Sequence, residues 1–123
     1  MNEDYYQFLR NGITQVDQIP ILSATHLIVF KAKAWLDLTQ RQAVGEHVDS
    51  KNMKKHKNDV FRLSNLLSPG QKVVVPPSIL RDLHAFIHAM RSEDVDLKAL
   101  KILSDVKDDI LDLLESIYVA EAQ

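Results

Sequence analysis

The sequence predicts a mainly α fold, a bundle of four to five helices with one or two short extended segments, and three observations carry that expectation. Apolar residues recur at helical spacing through four stretches, near 24–43, 51–67, 77–91 and 105–120. Gly and Pro stand at the ends of these stretches rather than inside them. The one β-branched run, Lys72–Val75, is brief and is followed by two prolines, so by itself it cannot build a sheet.

Taken in order, residues 3–10 (EDYYQFLR) read as a short helix closed by Asn11-Gly12, which tolerate the left-handed backbone that ends helices. Residues 18–23 (QIPILS) read as extended, because Pro20 turns its predecessor away from helical geometry and Ser23 then offers an N-cap oxygen. A long helix from about Ala24 to Ala43 follows, with Gly45 just beyond its end. The next helix runs from about Lys51 to Leu67, capped by Asp49 or Ser50 and ended by the Ser68-Pro69-Gly70 turn. Pro77 or Ser78 opens a third, carrying Ile79, Leu80, Leu83, Phe86, Ile87 and Met90 on one face as far as Arg91. Residues 92–103 are ambiguous between connection and helical turn. Ser104 then caps a final helix, 105–120, with Val106, Ile110, Leu113, Leu114 and Ile117 inward.

Length and composition bound the function. At 123 residues, 46% hydrophobic and 26% charged, the chain reads as one helical domain, 1–123, without repeats. A formal charge of -2 gives no global field toward nucleic acid or an anionic membrane. The absence of Cys rules out disulfides, thiolate zinc sites and a cysteine nucleophile, and it fits a reducing compartment; the expected location is the cytoplasm. The polar opening MNEDYYQFLR does not read as a secretory signal, and no apolar run reaches the roughly 20 residues of a membrane span. Glycines stand only at 12, 45 and 70, too dispersed for GxGxxG or a P-loop, which need several close together to wrap N–H groups around phosphate.

Two polar residues occupy apolar helix faces. In the 24–43 helix, Leu27, Ile28, Ala34, Trp35 and Leu38 form a stripe with Lys31 at its centre, whereas Lys33, Asp37 and Arg41 fall on the opposite, solvated side. Either Lys31 snorkels past Trp35 to water, or it reaches a buried carboxylate or a bound phosphate, because a buried charge needs a partner. In the 51–67 helix Asp59 borders the stripe of Met53, Val60, Leu63 and Leu67, with Lys55, Arg62 or Lys31 as candidate partners. The short 44–50 loop makes the two helices antiparallel neighbours, so Lys31 and Asp59 can face each other. His56 lies in the same stripe, where a hydrogen-bonded core histidine is the ordinary reading and a ligand the rarer one. The run KNMKKHK (51–57) is the one basic cluster: either a solvated face or a phosphate contact, its place in the first turns of a helix opposing the dipole.

Other signals are weaker. His84 and His88 share a helix face but lack a third ligand at a recognised spacing, so no metal site is assigned. Asp94 and Asp96 sit in a polar connection rather than on a rigid strand, and read as cap and solvent residues rather than Mg²⁺ ligands. Ser, His and Asp occur without the context of a nucleophile elbow, so no catalytic residue is assigned.

Residues 19–67, with Lys31-Ala32-Lys33-Ala34 and Lys55-His56-Lys57-Asn58-Asp59, resemble the C-terminal half of nucleotidyltransferase-fold proteins of the bacterial AbiEii toxin type. There a strand or extended piece leads into a helix with a Lys followed three residues later by Ala, and a later helix carries a basic-acidic-x-x-Asp motif before a Leu. This chain departs at Leu38, where the family usually has Arg, and at His56, where it usually has an acidic residue. The resemblance implies a nucleotide-binding role for Lys31, Lys55 and Asp59, with Lys31 on the triphosphate and Asp59 positioning that lysine or the base-binding helix. It also implies that Mg²⁺ and NTP belong to a catalytic half, a Gly-Ser turn with strand-borne Asp residues, which residues 1–18 do not supply.

The leading expectation is therefore the helical C-terminal portion of a nucleotidyltransferase-like protein, inactive alone and weak in nucleotide binding. The alternative is a non-enzymatic helical module for protein–protein interaction, its partner the missing catalytic half, an antitoxin or a second copy. Nucleic-acid binding through 51–57 ranks third, since no aromatic residue interleaves the lysines for base stacking.

Overall fold

The computed structural model describes residues 3–16, 19–100, 102 and 106–121, and the side chains among these except those of 13–16 and 19–22. It is mainly α. The helices are α1 (Glu3–Asn11), α2 (Ala24–Ala43), α3 (Ser50–Ser64), α4 (Pro77–Met90) and α5 (Lys107–Ile117). Four short strands accompany them: β1 (Ile13–Val16), β2 (Ile19–Leu22), β3 (Val73–Val75) and β4 (Tyr118–Ala120).

The helix boundaries follow local chemistry. Gly45 and Gly70 have φ of 91° and 88°, the left-handed backbone that lets the chain turn just past α2 and in the loop after α3. The Asp49 carboxylate accepts a hydrogen bond from the Lys51 N–H at 2.9 Å and caps α3, as one of the two predicted caps. Pro77 occupies the first position of α4, where its missing N–H costs nothing. At Ser23 the outcome differs. The hydroxyl makes no backbone cap but contacts His26 Nδ1 at 2.6 Å, so a side-chain pair replaces the expected N-cap bond.

Two helix ends are corrected. The α3 helix stops at Ser64, whose hydroxyl bonds back to the Phe61 carbonyl, and Leu67 lies in the turn beyond. The last helix ends at Ile117 because Tyr118–Ala120 form β4, which pairs in parallel with β3 in the register Val73↔Tyr118, Val74↔Val119, Val75↔Ala120. The KVVV run thus finds its partner across the whole of α4 and α5. Upstream, the 19–22 segment is the return strand of an antiparallel hairpin with β1 (Ile13↔Leu22, Thr14↔Ile21). Residues 92–100 form turns without an α-helix, whereas Ser104, expected as the last N-cap, lies outside the described residues.

One core joins all five helices. Tyr5 and Phe8 enter from α1; Ile28, Val29, Ala32 and Trp35 from α2; Val60 and Phe61 from α3; Ile79, Leu83, Phe86 and Met90 from α4; Ile110, Leu111, Leu114 and Ile117 from α5. Trp35 meets Phe86 edge-on, with ring centroids 5.6 Å apart, a favoured aromatic geometry that locks α2 to α4. The Tyr118 hydroxyl donates to the Thr25 carbonyl, tying β4 to the start of α2. The buried face of α2 is Thr25, Ile28, Val29, Ala32 and Trp35, rotated from the predicted stripe. Lys31 consequently sits at the margin of that face instead of its centre.

Candidate functional site

Short connection and antiparallel packing bring the first half of α2 against the second half of α3. There Lys31 Nζ lies 3.2 Å from Asp59 Oδ2, each side chain about one-fifth exposed (20% for both). Of the partners open to Lys31, the structure provides a carboxylate of its own chain. Asp59 is shared, because Arg62 Nη1 approaches its Oδ1 at 3.4 Å from one turn further along α3. The third candidate residue, Lys55, is exposed and forms no ion pair among the described residues. It stands close enough to His56 to repel a proton from it.

His56 departs from its ordinary reading as a hydrogen-bonded core histidine. Its Nδ1 is shut off from solvent and has no hydrogen-bond partner. The ring therefore does not behave as the satisfied core histidine that its place in the stripe suggested. Burial lowers its pKa first and the Lys31 charge next, with Lys55 adding to the effect and Asp59 opposing it. Lys31 and Arg62 thus flank the Asp59 carboxylate, while Lys31 and Lys55 both bear on the His56 ring beside it. That arrangement is suited to an anion: the charges are already held in place, and the site keeps a positive excess after its internal pairing.

Other clusters serve the fold. Lys33, read as a solvated charge, instead bridges Asp37 at 3.2 Å and Asp82 at 3.6 Å and lies 5.3 Å above the Tyr5 ring. Sequence periodicity could not show this, since Asp82 arrives from α4 and Tyr5 from α1. Lys57 is likewise not a solvated member of the 51–57 run. Its ammonium donates to the Asp94 carbonyl at 3.1 Å and stands 3.9 Å from Glu93, holding the 93–96 segment to α3. A groove of about 430 Å³ runs beside it on another face of α3, bordered by Lys54, Asn58 and Leu100. Asp96 accepts from the Ala99 N–H at 3.1 Å, the capping role read for it. His84 and His88 are exposed, and among the described residues no three His, Asp or Glu side chains converge as metal ligands. No helix among the described residues is long and apolar enough to cross a membrane.

No protein-family model, curated protein or solved structure matches the chain.

Proposed function

We propose that this chain is the helical portion of a nucleotidyltransferase-like protein, in which the seam between α2 and α3 at Lys31 and Asp59 contributes phosphate contacts to a nucleotide held by a separate catalytic half. The observation that carries the reading is the Lys31–Asp59 pair at 3.2 Å. An ammonium held by a carboxylate at the margin of a buried helix face has already lost rotamer freedom, so an arriving phosphate need not order it again. Lys31 is the phosphate contact, Asp59 its positioning partner, and Lys55 adds field from the rim. Mg²⁺ and the reacting groups belong to the catalytic half, so these helices alone bind nucleotide weakly and do not turn it over.

Titration calorimetry with ATP and GTP in the presence of Mg²⁺ tests this reading. The expected result is binding on the order of millimolar, about −4 kcal/mol, that disappears in Lys31→Ala. Turnover by this chain, or micromolar binding that survives Lys31→Ala, would refute it.

A second reading, a non-enzymatic module that docks on that catalytic half, an antitoxin or another copy, draws on Val74. This side chain is 56% exposed on a strand paired on one side alone. Light scattering after size exclusion tests self-association; a monomer at high concentration counts against the second-copy form.

A further inference from the structure

Resting on the phosphate-site reading above, we propose that His56 is the neutral hydrogen-bond donor of that site, presenting Nε2–H to a phosphate oxygen beside Lys31 and Lys55. Three observations lead to it. His56 makes no hydrogen bond to any described residue, and of its two ring nitrogens Nδ1 alone is sealed from solvent without a partner. Nε2 therefore opens to solvent. The charges facing the ring are Lys31 from α2 and Lys55 and Asp59 from its own helix, two cations against one anion.

These facts fix the protonation state. A neutral imidazole carries one N–H, and an imidazolium carries two. Charging the ring would bury an unmet N–H at Nδ1 next to two ammonium groups, adding a desolvation cost to a Coulombic one. Between the neutral tautomers, a lone pair is the cheaper group to leave unpaired at the sealed position, since orphaned buried N–H groups are the rarer kind. The proton consequently sits on Nε2, facing outward. A neutral donor complements the lysines: they attract the anion from a distance, whereas a single ring N–H specifies where one oxygen rests.

The test uses sulfate as the first probe, a phosphate-like dianion whose charge is constant between pH 5.5 and 7.5, with backbone and ring resonances followed by NMR. His56→Phe should weaken sulfate binding about ten- to a hundredfold, the loss of one hydrogen bond to a charged group. His56→Gln, which keeps a donor near the same place, should stay within about threefold of the parent. His56→Phe binding sulfate like the parent, or His56→Gln losing as much affinity as His56→Phe, overturns the proposal while leaving the Lys31 site standing if Lys31→Ala abolishes binding. No sulfate binding by the parent removes both. ATP and a short RNA run in parallel distinguish the phosphate's source: a His56→Phe loss with ATP supports the proposal, and a loss with RNA alone overturns it.

Discussion

Lys31 Nζ and Arg62 Nη1 hold opposite oxygens of the Asp59 carboxylate, at 3.2 Å and 3.4 Å, so one acid on α3 serves two bases on two helices. The sharing makes the pair asymmetric. Removing Lys31 leaves Asp59 with Arg62; removing Asp59 leaves Lys31 at a four-fifths covered margin with no carboxylate. Asp59→Ala should therefore cost about 1–2 kcal/mol and Lys31→Ala about 0.5–1 kcal/mol in urea denaturation, between the values of exposed and buried pairs. Equal losses would show that Arg62 does not share the carboxylate in solution.

Tyr5 anchors α1 through its hydroxyl as well as its ring. The hydroxyl donates to Asp82 Oδ2 at 2.7 Å, and burial followed by this bond to Asp82 pushes its pKa well above the ordinary tyrosine value. Asp4 accepts a second α4 bond from the Ser78 hydroxyl at 2.6 Å. Tyr5→Phe keeps the packed ring but withdraws a donor from a carboxylate, and should destabilise by about 1–2 kcal/mol. The checks are chemical denaturation and faster amide exchange confined first to α1.

Gly12 is needed for space. A Cβ there would fall 2.1 Å from His26 Cγ, on a ring held between the Ser23 hydroxyl at 2.6 Å and the Phe8 ring stacked 4.2 Å away. The ring has little room to yield, so Gly12→Ala should cost about 2–3 kcal/mol through overpacking. Gly45→Ala and Gly70→Ala meet open space and pay only for the left-handed backbone, about 1 kcal/mol each. Thermal melts of the three variants give the ranking directly.

What the sequence disclosed divides along the line between local and distant interactions. Helices were legible because Gly45, Gly70, Pro77 and Asp49 punctuate them with chemistry that acts within one turn. The Lys31–Asp59 meeting was legible because a short loop leaves two helices little choice of neighbour. The β3–β4 pairing was not, since Tyr118-Val119-Ala120 continues a helical pattern and becomes a strand only when Val73–Val75 lie alongside. Lys33 was misread for a similar reason. It shares a solvated helix side with Asp37 and Arg41, and only the packing of α4 brings Asp82 within 3.6 Å of it. The candidate site was half legible: its charges lay in the pattern, but the sealed nitrogen of His56 depends on how α2 and α3 pack and has no one-dimensional signature.

Two histidines should make the fold sensitive to mild acid. Burial lowers the pKa of His26, and burial followed by the Lys31 charge lowers that of His56. In the unfolded chain each titrates near 6.5. Below about 6.5 the unfolded state accordingly binds more protons than the folded one, so stability decreases as pH drops. The stability these two groups confer is present in full above that value and is lost as pH falls from it through their lower folded-state values. Urea midpoints measured between pH 5 and pH 7.5 should hold steady at the upper end and decline below about 6.5. Either His26→Gln or His56→Gln should flatten the decline by removing up to one linked proton, whatever it does to absolute stability. A decline that both variants leave unchanged would place the proton uptake on other groups.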